Sequence, residues 1–369
     1  MKNSQKVVTV VLDVMGADVG PESIIGGGLM AAEELGSALK LVFVGKSEVI
    51  SDSVKKQSPL PDNIVIEEAQ HAIAMSDAPT EGIRKKTSSI AVGLNMQKQG
   101  RADAFVSAGN TGAVMASSVY ILGKIKGIGR PAIVGLFPTL HGRPALVLDV
   151  GANVDCKPVH LLQFGVMGSV YASLMTGRTS PRIGLLSIGE EKSKGNEQIL
   201  ATWELFKKSG LNFIGNVEGR DVLSGRADVV VTDGFVGNVL LKFAESVEGF
   251  LTKRLKRQIE TNVFSRLGAA LMTPFLKRLR RTFDYSEYGG APLLGIGGVC
   301  IICHGTSSPK AIKNAIVVAF EMVRHRIVEN IGNEMAISNN VQKVENEDEQ
   351  RNNRNGVVRP VPSSDQSGS

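Results

Sequence analysis

The stretch Ile183-Gly-Leu-Leu-Ser-Ile-Gly-Glu-Glu-Lys-Ser-Lys-Gly-Asn-Glu-Gln198 passes within a few residues from apolar to densely charged. Its first half reads as a buried strand, and NEQILATWELFKKSG beyond it as a helix. Lys194, Gly195 and Asn196 therefore stand where a helix begins. A helix start offers unpaired N–H groups to an anion, glycine lets backbone approach closely, and lysine adds a full charge. Phosphate or another oxyanion is the ligand such a turn suits. Lys192 reads as a solvated surface lysine, and Glu190 and Glu191 as carboxylates that orient the lysines.

Five more strand-like runs end in glycine-bearing polar segments: Asp13 to Pro21, Ser107 to Gly112, Asp149 to Asp155, Asp233 to Asn238 and His304 to Ser308. Ligands of parallel sheets bind beyond the carboxyl ends of the strands. Six such loops together predict one anion site. Asn110, Asn153, Asn196 and Asn238 supply amide donors for an oxyanion or for a carbonyl gaining charge. Taken singly, each is also the residue type that braces a loop, as Asp13 and Asp149 are types that pin turns. Arg84, Lys85 and Lys86 add positive charge near a turn.

No nucleophile stands out. Ser107 has no nearby histidine, Cys156 has no evident base, and there is no G-x-S-x-G elbow. No phosphate-binding G-x-x-x-x-G-K-[ST] loop occurs, and no G-x-G-x-x-G follows the first strand. Clusters of histidine and cysteine are lacking, although Asp149, Asp155 and Asp233 are carboxylates of the kind that hold Mg²⁺. No metal or cofactor is expected. The residues thus point to an enzyme that binds an anion and polarises a carbonyl or phosphoryl group without a covalent intermediate. Direct attack by an oriented substrate needs mainly positioning and charge neutralisation.

The elements that must carry these residues alternate along the chain. Strand-like runs such as VVTVVLDV, LKLVFVG, AFVSAG, ALVLDVG and VVVTDG are apolar on both faces, and helix-like stretches separate several of them. That pattern predicts an α/β fold with a mostly parallel sheet flanked by helices. With 369 residues, 43% of them hydrophobic, there is ample material for a large core. One α/β domain is expected over 1–338, and a polar, aperiodic tail over 339–369 reads as disordered. The pair Cys300 and Cys303 with His304 matches a C-x-x-C-H haem or redox pattern, but GGVCIICHG reads as a strand whose cysteines point to opposite faces of a core.

Residues 244–284 contain no strand. Val247, Leu251, Leu255 and Ile259, then Leu271, Phe275, Leu279 and Phe283, recur at helical spacing beside Lys253, Arg254, Lys256, Arg257, Lys277, Arg278, Arg280 and Arg281. This predicts a basic amphipathic hairpin with an oily connection from Phe264 through Leu267 to Met272, and Pro274 in a first helical turn. It suits either a dimer interface or a contact with an anionic membrane or acidic protein. The net charge of +6 fits an acidic partner, but with 5% aromatics there is no stacking platform for nucleic acid. No run reaches the length of a spanning helix and no signal peptide is read, so a cytoplasmic place is expected.

The motifs DVMGADVGP, GRADAFVSAGNTGAVMA, LDVGANVDCKP, QFGVMGSVYA, GEEKSKGNE, NFIGNVEGRD, DVVVTDGFVGNVLLK and YGGAPLLGIGG, in this order over roughly 7–330, resemble the PlsX-type phosphate acyltransferases. The resemblance implies that phosphate attacks the thioester of a fatty acyl-acyl carrier protein. The product, acyl phosphate, would serve phospholipid synthesis through a downstream glycerol-3-phosphate acyltransferase. It also implies a fold similar to isocitrate and isopropylmalate dehydrogenases, a homodimer, and peripheral attachment to the inner face of the membrane through the hairpin, with Phe264, Leu267, Leu271, Phe275, Lys277, Arg278, Arg280 and Arg281 as contacts. By motif, the family's catalytic lysine and asparagine fall on Lys194 and Asn238. Expected phosphate and substrate contacts are Asp13, Gly16, Ser107, Gly109, Asn110, Thr111, Asn153, Gly195, Asn196, Asp233 and His304.

The chain departs from the usual family motifs at Ala17 and Val19, which stand for glycine and histidine, at Ser187, which stands for asparagine, and after His304. Alternatives on the same fold are a coenzyme-A-dependent phosphotransacetylase and a nicotinamide-dependent β-decarboxylating dehydrogenase. The dehydrogenase lacks its arginine-rich pocket and its metal aspartates here. A non-catalytic carrier-protein or membrane scaffold is the alternative of another class.

Overall fold

A computed structural model describes residues 6–55, 60–283 and 287–338, with backbone alone over 276–283. The expected tail and the side chains of Lys277, Arg278, Arg280 and Arg281 lie outside the described residues. Among the described residues eleven strands form one sheet: β1 Val8–Asp13, β2 Leu39–Gly45, β3 Ile64–Glu68, β4 Ala104–Ser107, β5 Ala132–Phe137, β6 Ala145–Leu148, β7 Ile183–Leu186, β8 Phe213–Val217, β9 Val229–Val231, β10 Ala291–Leu294 and β11 Val299–Ile302. Their order is β3-β2-β1-β4-β11-β10-β5-β6-β9-β7-β8.

Helices cover both faces. Alternate residues of β1 show why: Val8, Val10 and Leu12 pack with α1 (Pro21–Leu35) and α11 (Pro309–Arg324), while Val11 packs with α4 (Ser89–Lys98) and α5 (Thr111–Leu122). Strands buried on both sides cannot alternate apolar with polar, hence the continuous apolar runs. Beyond β5, α6 (Pro158–Thr176) and α7 (Glu197–Lys207) continue the first layer, and the first turns of α9 (Gly234–Ile259) continue the second. Cys300 and Cys303 are buried in opposite layers, as their spacing predicts.

The sheet is mostly parallel, with one inversion zone. β10 pairs antiparallel with both β11 and β5, and β5 pairs antiparallel with β6. Three successive reversals turn β6, β9, β7 and β8 against β3, β2, β1, β4 and β11. The six polar loops therefore divide. Those after β1, β4 and β11 leave one edge of the strands, and those after β6, β7 and β9 leave the opposite edge. This corrects the expectation of one convergent set of six.

The basic helical stretch also differs from its sequence reading. Helix α9 begins at Gly234, so Gly234 to Asn238 are its first turn rather than a loop. Asn262 starts α10 (Val263–Phe283), its Oδ1 accepting from Ser265 N at 2.8 Å. The connection is thus the polar turn at 260–262. Phe264 to Met272 lie inside α10, as does Pro274, because the apolar repeat at 264, 267, 271 and 275 keeps helical phase through the proline. No described helix is long and apolar enough to cross a membrane.

Candidate functional site

The loop after β6 is built around Asp149, which is fully buried. Its Oδ1 accepts from Ile133 N (3.0 Å), Gly151 N (3.2 Å) and Ala152 N (3.0 Å), and its Oδ2 from Asn153 N (2.7 Å) and Asn153 Nδ2 (2.8 Å). Burial pushes its pKa up, while those donors favour the charged form. Both oxygens are thus occupied in shaping the loop. Asn153 spends its second amide hydrogen on Pro131 O at 2.7 Å. Both residues brace the loop, which corrects Asn153 as an expected ligand.

Two helices are tied to this loop. The Gly234 N–H of α9 donates to Asn153 O at 2.7 Å, and Gln198 Nε2 of α7 donates to Cys156 O at 2.7 Å. α9 carries Asn238, and α7 follows Lys194 directly. Strand β9 lies between β6 and β7, so both residues leave neighbouring strands. Asp233 caps α9 through Val236 N at 2.8 Å. At Gly237 an added Cβ would fall 1.8 Å from Asp149 O, so α9 meets the strand end at its closest approach here. Exposed Asn238 stands against Gly151, where a Cβ would lie 3.7 Å from its Oδ1.

Asn196 caps α7 through Ile199 N at 2.9 Å, as a helix start requires. Lys194 is exposed, and its ammonium has no ion pair among the described residues. Lys192, by contrast, is held by Glu204 at 2.5 Å and lies 4.4 Å from the Trp203 ring centre, so it is not a free surface lysine. Glu190 pairs with Arg226 at 2.6 Å and Arg220 at 3.6 Å, because α8 (Gly219–Ser224) brings arginines to the loop. It does not orient the lysines.

Cys156 sits in the same corner, half-buried, with its thiol pushed up to about 12 by burial and then by the Asp149 and Asp233 carboxylates. It is a thiol rather than a thiolate at neutral pH, so it is a poor nucleophile. Burial, then Arg130, Lys157 and Lys124, hold His160 below its usual value. The three cations nearby add positive charge at the start of α6. The corner can therefore hold an anion beside amide donors, with no activated protein nucleophile.

The other loops form a second group. Ser107 Oγ donates to buried Asp13 at 2.7 Å and accepts from Gly109 N at 3.1 Å. Asn110 caps α5 through Ala113 N and gives its amide hydrogens to carbonyls of Ala74, Met75 and Asp77 at 2.9–3.1 Å. Gly16, at φ +83, leaves 3.0 Å between an added Cβ and Ile73 O. His304 Nδ1 accepts from Thr306 N at 3.2 Å. Ser107, Gly109 and Asn110 are buried and spend their groups internally, while Thr111 and His304 are exposed. Among the described residues no hydrogen bond joins this group to the Lys194 corner. Lys85 is paired with Asp77 at 3.2 Å and Arg84 with Glu81 at 3.3 Å, which offsets two of the three charges expected there.

Sequence reasoning missed Asn216, on β8, whose amide reaches the Lys194 loop. The available signal was a polar side chain inside FIGNV, next to Gly215.

A family model described as fatty acid synthesis protein matches residues 8–330. A phosphate acyltransferase of Pelotomaculum thermopropionicum is 48% identical over 323 residues, covering 87% of this chain and 93% of the relative. One from Nostoc sp. is 44% identical over 333 residues, covering 89% and 97%. Among solved structures, a phosphotransacetylase from Streptococcus pyogenes matches with a TM-score of 0.59 at 18% identity, covering 86% of this chain and 94% of that one. The EutD phosphotransacetylase from Staphylococcus aureus matches with a TM-score of 0.57 at 16% identity, covering 87% and 96%.

Proposed function

The chain belongs to the fatty acid synthesis protein family, and on that footing we propose that it is an acyltransferase that moves a fatty acyl group from acyl-acyl carrier protein to inorganic phosphate. The relatives' shared name, phosphate acyltransferase, supports acyl transfer to phosphate. One observation carries the assignment to this corner: the Lys194 ammonium, which has no ion pair among the described residues, and exposed Asn238 follow adjacent strands and are tied through one loop.

A phosphate oxygen attacks the thioester carbonyl carbon, a C–O bond forms, and the C–S bond breaks as the carrier's thiolate leaves. Lys194 offsets phosphate charge, and the Asn238 N–H groups hold phosphate or the carbonyl oxygen as it gains charge. Because phosphate supplies the electrons, the protonated Cys156 is not needed. The protein's contribution is orientation and charge.

The acyl phosphate would pass to an acyltransferase acting on glycerol 3-phosphate, in phospholipid synthesis. The hairpin of α9 and α10 would serve as the homodimer contact and as a peripheral anchor on the inner, anionic membrane face. Exposed Phe264, Leu267, Leu271 and Phe275 support that reading.

The test is purified protein with acyl-acyl carrier protein and phosphate, with acyl phosphate trapped by hydroxylamine. Hydroxamate above the blank is expected. None above the blank refutes the reading, and product from acyl-CoA alone moves it to a transacetylase.

A further inference from the structure

We propose that Asn216 and Ser187 are positioning residues that present Lys194 to the anion, an inference that rests on the acyl-transfer reading above. Asn216 lies on edge strand β8 and is 1% exposed. Its Nδ2 donates to Glu191 O at 2.9 Å and to Lys194 O at 3.3 Å. The Ser187 hydroxyl donates to the same Lys194 O at 3.0 Å, and the Lys194 N–H donates to Glu191 O at 2.9 Å. Each of the two carbonyls accepts two hydrogen bonds, so the Lys194 main chain is held at both its polar groups. Gly195 follows at φ +120, where a Cβ would meet Ile199 Cγ2 at 2.6 Å and Ser187 Oγ at 3.1 Å. The turn closes on Ser187 only with glycine there.

The amide orientation follows from its surroundings, because a flipped amide would aim its oxygen at two carbonyl oxygens. Asn216 Oδ1 is buried without a hydrogen-bond partner in the described structure. The Asn216 amide donors fix the backbone from which the Lys194 ammonium extends. Such pre-ordering spares the reaction the entropy of ordering the loop.

The test compares kcat and phosphate KM in the hydroxylamine assay for wild type, Asn216→Ala, Ser187→Ala, Lys194→Ala, and Asn216→Ala combined with Lys194→Ala, with thermal melts alongside. Asn216→Ala is expected to lower kcat/KM about tenfold and Ser187→Ala about threefold. In the Lys194→Ala background the Asn216→Ala loss should shrink to within about twofold, because residues acting through one group are not additive. A purely structural role would carry the full loss into that background. Ser187→Ala removes one hydroxyl from a half-buried loop and carries the test if Asn216→Ala does not fold. The inference is overturned if both single variants keep wild-type kinetics while Lys194→Ala does not, or if the Asn216 loss persists undiminished in the double variant. Wild-type turnover by Lys194→Ala would instead overturn the role of Lys194, and this inference with it.

Discussion

Gln198 of α7 donates to the carbonyl of Cys156 at 2.7 Å and so joins the helix that follows Lys194 to the loop shaped by Asp149. The same loop takes the Gly234 N–H of α9 at 2.7 Å. Lys194 and Asn238 are therefore placed by one shared piece of backbone, and each can be displaced through it without being altered itself.

Gln198→Ala removes that tie and leaves a half-buried carbonyl to water. The stability loss should be about 1 kcal/mol, the usual net worth of such a bond. A kinetic loss should accompany it, about threefold to tenfold in kcat/KM for phosphate, because small displacements of a positioned group are costly. Urea unfolding and initial rates on one preparation separate the two. A stability loss with kcat/KM unchanged would show that the tie does not position the site.

Gly237 makes a sharper contrast with Gly249 on the same helix. An alanine methyl at 237 would fall on Asp149 O, whereas at 249 nothing lies within 4 Å. Gly237→Ala should cost about 3 kcal/mol or more and push α9 off the strand end. Gly249→Ala should stabilise by roughly 0.5–1 kcal/mol through helix propensity. Chemical denaturation of both variants checks the pair, and a mild effect at 237 would contradict the packing described.

Much of this was legible in the chain, and the remainder was illegible for physical reasons. Apolar runs marked nine strands because burial on both faces leaves a continuous signal. β3 was missed as a half-exposed edge strand, and β10 as a four-residue strand containing Pro292. β10 also sets the inversion, through pairing with β5 far away in sequence, for which no local pattern exists. That is why six loops looked convergent and are two groups of three. The capping of Asn196 and the glycine at 195 could be read locally. Whether an asparagine faces a ligand or a carbonyl could not, as Asn110 and Asn153 show.

The hairpin makes its own prediction. Phe264, Leu267, Leu271 and Phe275 lie on one face of α10, with Phe264 87% and Leu271 76% exposed. Phe264→Glu with Leu271→Glu should reduce flotation with anionic vesicles by about tenfold or more, since each removes apolar burial worth roughly 2 kcal/mol and adds a repelled charge. Charge reversal at Arg280 and Arg281 should weaken it too, and more so at low salt. Unchanged flotation in both would show that this face does not touch the membrane.

Asp13 gives the fold a pH dependence whose sign is opposite to that of a salt-bridged aspartate. Burial raises its pKa from 3.8 to about 6, and the hydrogen bonds from Ser107 and Met15 only partly offset this. Between those two values the folded chain keeps a proton that the unfolded chain has released. The proton-linked stability is fully present below about 3.8 and is lost as pH rises through about 6. The window is worth on the order of 3 kcal/mol. Asp13→Asn keeps the shape and the acceptor for the Met15 N–H but cannot titrate. Its stability minus that of wild type, measured by urea unfolding from pH 4 to pH 7.5, should rise with pH across the window and level off above it. Ser107→Ala removes a donor to the charged form, so it should move the upper edge of the window to higher pH. A difference curve that is flat or falls with pH would show that the buried carboxylate is ionised throughout, held so by its donors rather than protonated by its burial.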